Sequence, residues 1–305
     1  MKAYIADFWK GRVFVENQPI PEIKENNQVL VKVKTSGINP VDYKLPSIIL
    51  PSKVVGLDLA GIVTKVGENV TDFKEGDRVF GNALGALAEY VVCDAEKITK
   101  VPESMRFEEA SALPTTYLTG YQVLVNHGFK KGDKLLIIGG SGGCGTAGIH
   151  LAKALGASEI VAVCSGKNIE FVTEQGATGV IDYKTQSALK EYGKDYFDFV
   201  YDTVGGINYA ETRKLLGSDG MFVTIAPSIS IAVRYFTNMQ KSKSKMIFTN
   251  HSRKDLERIL DLKKEAGFEP VLQKILPFSK DSVEEGFKLL KSHRAKGKIV
   301  FVHEN

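Results

Sequence analysis

Residues 135–157 read LLIIGGSGGCGTAGIHLAKALGA and place five glycines between an apolar run and a helical pattern. The run LLII predicts a buried strand, and the residues after the glycines predict a helix over 144–156. Gly140, Gly142 and Gly145 fit G-x-G-x-x-G, a motif that needs a strand before it and a helix after it. In that motif the first glycine permits a tight turn, the second lets the backbone approach a pyrophosphate, and the third lets helix and strand pack closely. The stretch therefore predicts a dinucleotide site, and a merely flexible turn is the less favoured alternative.

The chain around this stretch alternates apolar runs with helical patterns from about residue 119. Continuous apolar strands that alternate with helices are typical of a parallel sheet covered on both faces. We therefore expect a Rossmann-type, doubly wound α/β domain over 119–250. Its further predicted elements are strands at 160–163, 180–182, 198–202 and 221–225 and helices at 168–175 and 208–216.

Residues 1–118 differ, because short apolar runs are separated by glycine, proline and asparagine turns. Val29, Val31 and Val33 alternate with lysines, the period-two pattern of a half-buried strand. This part of the chain predicts an irregular, strand-rich domain. The other expected elements outside the α/β region are strands at 61–66, 77–80, 88–92 and 298–302, a weak helix at 107–112, and helices at 252–265 and 281–292.

Charge and composition argue against several classes of protein. The 305 residues are 43% hydrophobic and carry a net charge of +4, from 40 basic and 36 acidic residues. The lysines are dispersed, so no nucleic-acid partner is expected. The local run of Lys241, Lys243 and Lys245 alternates with serines and predicts a solvated loop.

Cysteine usage and hydropathy favour a reducing compartment. The three cysteines are far apart and lack C-x-x-C partners, so no disulfide framework is expected. The N-terminal stretch lacks the apolar core of a signal peptide, and no apolar run approaches membrane-spanning length. We expect a cytoplasmic protein without a membrane partner.

The segment after strand 160–163 bears on which dinucleotide is bound. An NAD site expects an acidic residue about 20 positions after the glycine motif, where it binds the ribose hydroxyls. The sequence there is CSGKN (164–168), without an acid. The hydroxyl of Ser165 and the ammonium of Lys167 suit a 2′-phosphate, which favours NADPH over NADH. Tyr183, after the next strand, is expected beside the adenosine. In the alternative interpretation, Ser165 or Asn168 only caps a helix.

Several motifs resemble the medium-chain dehydrogenases/reductases. They are GLDLAGIVTKVGENVTDFKEGDRVFG (56–81), GALAEYVV (85–92), LPTTYLTGYQVL (113–124), the glycine stretch, FDFVYDTVGG (197–206) and GKIV (297–300). The resemblance covers essentially the whole chain. It implies a GroES-like catalytic domain formed by 1–118 and a C-terminal return over 251–305, an inserted NADPH-binding Rossmann domain over 119–250, a cleft between them as the active site, and a homodimer.

The same resemblance bears on zinc. Zinc-dependent members carry a cysteine in the segment that here reads SGINPVDYK (36–44), and Gly-His-Glu where this chain has Gly56-Leu57-Asp58. No histidine shows metal-ligand spacing with the cysteines, so no metal site is expected. Asn39-Pro40-Val41-Asp42 and CSGKN are similar instead to the zinc-free quinone oxidoreductase-like branch. The segment at 43–55 is shorter and more apolar than in that branch, which bears on substrate choice.

This resemblance implies an NADPH-dependent enzyme that transfers hydride to a quinone or to an α,β-unsaturated carbonyl (an enone). Asn39 is the candidate for orienting the nicotinamide ribose or the substrate carbonyl, although an Asn-Pro turn alone would explain it. Lys44 is a candidate donor to the developing enolate oxygen, and a surface lysine is the alternative. Asp42 either positions Lys44 or caps the local turn.

The remaining candidates are walls of the cofactor site. Thr203, Ile225 and Ala226 lie at the carboxyl ends of predicted parallel strands, where open α/β sheets bind ligands. Thr119 and Lys298 are assigned by the resemblance. The full predicted cofactor set is Thr119, Gly140, Ser141, Gly142, Gly143, Cys144, Gly145, Ser165, Lys167, Tyr183, Thr203, Ile225, Ala226 and Lys298.

Other functions remain open on the same fold. One is a non-catalytic protein that binds NADPH or nucleic acid, because a fold does not determine a function. Another is an enoyl thioester reductase, whose coenzyme A substrate would need a basic groove.

Overall fold

The computed structural model describes residues 1–7, 11–44, 53–205, 209–226 and 243–304. The chain divides into two compact units. The first unit comprises Met1–Leu118, His251–Arg258 and Glu269–Asn305, and the second comprises Thr119–Asn250 and Ile259–Phe268. Residues 259–268 thus cluster with the second unit, whereas the sequence places them in the C-terminal return. The division falls inside a helix, which local sequence cannot indicate.

The elements follow one another in this order. The strands are β1 Ala3–Asp7, β2 Gly11–Val15, β3 Gln28–Gly37, β4 Asp58–Val66, β5 Arg78–Asn82, β6 Tyr90–Asp94, β7 Ile98–Lys100, β8 Lys134–Ile138, β9 Glu159–Cys164, β10 Gly179–Asp182, β11 Phe197–Asp202, β12 Leu216–Thr224, β13 Ser244–Met246, β14 Leu272–Pro277 and β15 Lys298–Val302. The helices are α1 Val41–Lys44, α2 Phe107–Ala110, α3 Pro114–Val125, α4 Gly143–Ala154, α5 Ile169–Glu174, α6 Ala188–Tyr192, α7 Tyr209–Leu215, α8 Arg253–Ala266 and α9 Lys280–Lys291.

The second unit is built on a six-stranded parallel sheet in the order β10-β9-β8-β11-β12-β13. Consecutive residues of β8, β9 and β11 are buried, so both faces of the sheet are covered. Leu136, Val161 and Phe222 belong to its apolar core. The predicted doubly wound parallel sheet is confirmed, because unbroken apolar runs can be buried only when both faces are covered.

The first unit contains a seven-stranded sheet in the order β14-β15-β3-β4-β5-β7, with β6 also paired to β3. All its pairings are antiparallel except that of β14 with β15. Val29, Val31 and Val33 all point into its core, as their alternation with lysines predicts. Strands β1 and β2 form a separate antiparallel pair.

Several elements lie outside the predicted helices and strands: β1, β2, β7, β13, β14, α1, α3 and α6. Three of them show why local patterns do not indicate them. Helix α3 buries Tyr117, Leu118 and Leu124 and is apolar on most sides, so it lacks the polar stripe that marks a surface helix. Helix α6 has only five residues. Strand β14 has no regular alternation of buried and exposed residues. Its parallel pairing with β15 joins segments that are apart in sequence, so local sequence does not indicate it.

The predicted solvated loop at the lysine run is wrong for its described part. Lys245 lies in β13, which pairs with β12, and Lys241 lies outside the described residues. Ser244 and Met246 are buried while the lysines beside them are partly exposed, which is strand periodicity at the edge of the sheet. In the described part of the chain, no helix combines the length and apolarity needed to cross a bilayer.

Candidate functional site

The glycine turn joins β8 to α4 in the second unit. Gly139 has φ +85°, a conformation that glycine adopts without strain, and its N–H donates to Val163 O over 3.0 Å. Gly140 N–H donates to the same carbonyl, also over 3.0 Å. Helix α4 then starts at Gly143, with Gly142 as its N-cap. The first N–H groups of a helix have no acceptor within the helix, so this turn can bind an anion. Gly139 was not among the predicted site residues, although it is the glycine that makes the bend.

The three motif glycines are needed for different reasons. A Cβ on Gly145 would lie 2.2 Å from Gly139 O, and a Cβ on Gly140 would lie 2.8 Å from Ala162 Cβ. These two glycines are required by packing. A Cβ on Gly142 would meet only Gly139 O, at 3.7 Å. The protein's own packing does not require glycine at position 142, and the open backbone there fits the close approach of a pyrophosphate.

A second turn follows β9. Ser165 is the N-cap of the short 3₁₀ turn Gly166–Asn168 and Asn168 is the N-cap of α5, but neither side chain forms a capping hydrogen bond. Asn168 Nδ2 donates to Ser141 Oγ over 3.0 Å, which ties this turn to the glycine turn. The side chain of Lys167 is exposed, and Tyr183 is 61% exposed after β10. The structure thus brings Ser141, Ser165 and Lys167 to one end of the sheet.

The ends of β11 and β12 are joined by a buried carboxylate. Asp202 Oδ1 accepts the N–H groups of Val204 and Gly205, both over 3.0 Å, and its Oδ2 accepts the Thr224 hydroxyl over 2.8 Å. Thr203 Oγ1 donates to Ile138 O over 2.8 Å, next to the glycine turn. Asp202 therefore fixes the turn that positions Thr203.

The other predicted cofactor residues of this unit lie after β12, in α3 and in α4. Ile225 N–H donates to Asp202 O over 3.1 Å, and Ala226 N–H donates to Thr224 Oγ1 over 3.1 Å, so both directly follow the carboxyl end of β12. Thr119 lies in α3, where its hydroxyl is hydrogen-bonded to that of Thr249 over 2.6 Å. Cys144 is partly exposed in the first turn of α4.

A buried polar cluster forms the second group of candidates, in the first unit, and is centred on Asp58 at the start of β4. Asp58 Oδ1 accepts from Asn82 Nδ2 over 2.9 Å and from both N–H and Oγ1 of Thr115, over 3.0 and 2.5 Å. Asp58 Oδ2 accepts from Asn39 Nδ2 and Lys298 Nζ, each over 2.9 Å. Five donors occupy this fully buried carboxylate, so its lone pairs are already used. The roles of Asn82 and Thr115 were missed, because each lies on a different element.

Lys298 is part of this cluster. Its side chain is buried, and Nζ donates to Ile38 O, Asn39 Oδ1 and Asp58 Oδ2 over 3.1, 2.6 and 2.9 Å. An ammonium has three N–H donors, and all three are used inside the first unit. The structure therefore places Lys298 as the partner of Asp58 and Asn39, and its ammonium has no donor left for a cofactor.

The amide of Asn39 is held at both ends. Its Oδ1 accepts from Lys298 and its Nδ2 donates to Asp58, which leaves one Nδ2 hydrogen without a partner in these bonds. The side chain is only 2% exposed. Its orientation is therefore determined by an ion pair and not by the Asn-Pro turn alone.

Asp42 and Lys44 lie in α1. Asp42 Oδ2 accepts the N–H of Asn39 over 2.7 Å, so it caps the local turn, and among the described residues it forms no ion pair with Lys44. Burial raises the pKa of Asp42 to about 7, against the lowering effect of the Asn39 N–H, and the charge of Asp58 adds to the increase. The side chain of Lys44 is exposed. The apolar segment after it lies mostly in 45–52, outside the described residues.

Within the described ranges, no three side chains of the metal-binding types come together. The residue that stands where zinc-dependent relatives carry glutamate is Asp58, whose oxygens are saturated by protein donors. A parallel sheet with a glycine turn at its carboxyl edge and a separate strand-rich unit define the architecture of a nucleotide-dependent dehydrogenase or reductase.

Comparison with known proteins places this architecture in a family. Residues 25–103 match the family model of the alcohol dehydrogenase GroES-like domain, and residues 175–301 match that of zinc-binding dehydrogenase. The chain is 35% identical over 302 residues to a 2-methylene-furan-3-one reductase of Solanum lycopersicum, covering 93% of this chain and 74% of the relative. It is 32% identical over 322 residues to an NADPH-dependent alkenal/one oxidoreductase of Arabidopsis thaliana, described as chloroplastic, covering 98% and 79%.

A solved structure agrees with these relatives. The quinone oxidoreductase from Coxiella burnetii superimposes with a TM-score of 0.86 at 28% identity, over 99% of each chain. The chain belongs to the medium-chain dehydrogenase/reductase superfamily. The resemblance inferred from the motifs and the predicted combination of a Rossmann sheet with a GroES-like domain are confirmed.

Proposed function

We propose that this protein is an NADPH-dependent oxidoreductase that transfers hydride to an enone or a quinone without zinc. The names of the relatives support this acceptor class, since two are enone-type reductases and one is a quinone oxidoreductase. The observation that carries the cofactor part is the open backbone at Gly142, where packing does not explain the glycine. The saturated carboxylate of Asp58 supports chemistry without a bound metal ion.

The residues of the second unit fit the cofactor, which when bound supplies the hydride. The turn Gly140–Gly145 binds the pyrophosphate through backbone N–H groups, and Ser141 adds a hydroxyl. Ser165 and Lys167 hold the 2′-phosphate, with the exposed ring of Tyr183 beside the adenosine. The remaining walls are Thr119, Thr203, Ile225 and Ala226.

We assign the substrate-facing roles to residues of the first unit. The remaining Nδ2 hydrogen of Asn39 orients a ribose hydroxyl or the substrate carbonyl, because the ion pair of Asp58 and Lys298 fixes the amide. The exposed ammonium of Lys44 stabilises negative charge as it develops on the acceptor oxygen. Asp42 holds the turn between these two residues.

The test is a turnover assay with purified protein. We expect loss of NADPH absorbance with a reactive enone or an ortho-quinone, and little or no loss with an enoyl thioester of coenzyme A. Lys44→Ala should lower kcat by about tenfold to a hundredfold if its charge stabilises the acceptor oxygen, which corresponds to about 1.4–2.7 kcal/mol. This is less than a donor in a water-excluded site contributes, because the Lys44 side chain is exposed. An absence of turnover across a broad panel of enones and quinones would reject the proposal.

We also propose a cytoplasmic homodimer. The cysteines form no disulfide among the described residues, which suits a reducing compartment, although the Arabidopsis relative is described as chloroplastic. The edge strand β13 and Phe248, which is 79% exposed, offer a surface for a second copy. Light scattering after size-exclusion chromatography should give twice the 33.4 kDa chain mass, and a monomer would contradict this assignment.

A further inference from the structure

A carboxylate from the next strand, β10, lies beside the turn that follows β9. Asp182 ends β10, and it pairs in parallel register with Cys164 of β9. Its Oδ2 lies 2.6 Å from the position that a Cβ atom on Gly166 would take. A carboxylate therefore fills the space in which a side chain at position 166 would begin. In dinucleotide-binding sheets, the acid that binds the adenosine ribose lies about 20 residues after the glycine motif. This chain has Ser165 there, and the carboxylate beside this turn comes instead from the end of the next strand, β10.

The contacts of Asp182 leave one oxygen available. Its Oδ1 accepts the Lys184 N–H over 3.1 Å, and its own N–H donates to Gln186 Oε1 over 2.8 Å. Its Oδ2, the oxygen beside Gly166, accepts no hydrogen bond from the described residues. Burial raises the pKa of Cys164 to about 11, and the charge of Asp182 adds to the increase, as expected for a carboxylate close to this strand end.

Lys167 does not neutralise this acid. Its side chain is exposed and forms no ion pair with a described residue. The turn Gly166–Asn168 therefore carries the cation of Lys167 and lies beside the carboxylate of Asp182, and these two charges have opposite effects on a 2′-phosphate. A ribose 2′-hydroxyl, in contrast, can donate a hydrogen bond to a carboxylate.

We propose, building on the proposed function, that Asp182 is a specificity-determining residue for the cofactor. Its Oδ2 accepts the adenosine-ribose 2′-hydroxyl of NADH and opposes the 2′-phosphate of NADPH, whereas Lys167 attracts that phosphate. The protein therefore binds both cofactors, and its preference for NADPH is smaller than Lys167 alone would produce.

The test measures dissociation constants for NADPH and NADH by fluorescence titration, at low and high salt. We expect Asp182→Asn to bind NADPH about tenfold more tightly and NADH more weakly, with a smaller gain for NADPH at high salt, because ions screen partly exposed charges. Lys167→Gln should shift the preference the other way, because it weakens NADPH binding far more than NADH binding. Glu191→Gln, which removes an exposed acid elsewhere in the same unit, should change neither constant.

The outcomes separate this inference from the proposed function. If the unaltered protein binds both cofactors and Asp182→Asn leaves the ratio of the two constants unchanged, Asp182 does not determine specificity. Equal weakening of both cofactors would also overturn the inference, because it would show a purely structural role. If the unaltered protein binds neither cofactor, the proposed function fails, and this inference fails with it.

Discussion

At the residue scale, Asp58 and Lys298 show how one buried charge depends on another. The two side chains are 240 positions apart in sequence and almost fully buried, and Asp58 also accepts from Asn39, Asn82 and Thr115. A buried ion pair contributes little net stability, but removing one partner leaves an uncompensated charge. The pair therefore acts mainly to fix the orientation of Asn39.

Lys298→Met should destabilise the protein strongly, by about 3–5 kcal/mol, because it leaves the Asp58 carboxylate without its cation. The double variant Asp58→Asn/Lys298→Met should recover much of this loss, since the buried charge is then removed. Chemical unfolding monitored by circular dichroism measures both. A double variant no more stable than Lys298→Met would contradict this account.

Asp42 predicts a pH dependence of stability. Its folded-state pKa is about 7, against an ordinary value of 3.8, so between these pH values the folded protein binds a proton that the unfolded chain has lost. The stability that comes from this bound proton is fully present below pH 3.8 and is lost as the pH rises to about 7. The loss lowers the free energy of unfolding by roughly 4 kcal/mol. Asp42→Asn keeps an acceptor for the Asn39 N–H and lacks the titration. Its unfolding free energy should therefore exceed that of the unaltered protein at pH 8 but not at pH 4, and parallel pH profiles would refute the prediction.

At the scale of the element, the glycines in the turn between β8 and α4 have different roles. Gly140 and Gly145 are required by contacts inside the turn and with β9, whereas Gly142 has open space at its Cβ position. The motif itself was readable from sequence, because its spacing is local. The separate roles of the three glycines could not be predicted from sequence, because they depend on which atoms lie opposite each glycine in the folded protein.

Gly142→Ala and Gly145→Ala form a matched pair. Gly142→Ala should fold with nearly unchanged thermal stability but bind NADPH at least tenfold more weakly, because its methyl group occupies the approach of the pyrophosphate. Gly145→Ala should destabilise the protein by about 1–3 kcal/mol, because its Cβ would overlap Gly139 O. Thermal unfolding and NADPH titration of both variants test this. The idea fails if Gly142→Ala binds NADPH normally.

At the scale of the whole molecule, the glycine turn and the turn Gly166–Asn168 both belong to the second unit, which buries its own apolar core. Ligand that binds only the folded state stabilises that state by mass action. At a concentration 100 times its dissociation constant, NADPH should raise the free energy of unfolding by about 2.7 kcal/mol.

Hydrogen exchange can locate this effect. Protection by NADPH should be largest at the amides of 139–146 and 165–168, because these turns are assigned to the pyrophosphate and the 2′-phosphate. Thermal unfolding with and without NADPH gives the overall shift. An exchange pattern unchanged at both turns would contradict the assigned cofactor site.

The sequence by itself determined the parallel sheet, its glycine turn and the family, because apolar periodicity and the G-x-G-x-x-G spacing are local properties of the chain. It also predicted most helices and strands, but not α3, which is apolar on most sides, or β14, which depends on pairing with β15. Only the tertiary structure decided that Asp182 faces Gly166 and that Lys298 joins Asp58. Contacts of this kind depend on the register of neighbouring strands and on burial shared by distant segments, and neither leaves a pattern in the local sequence.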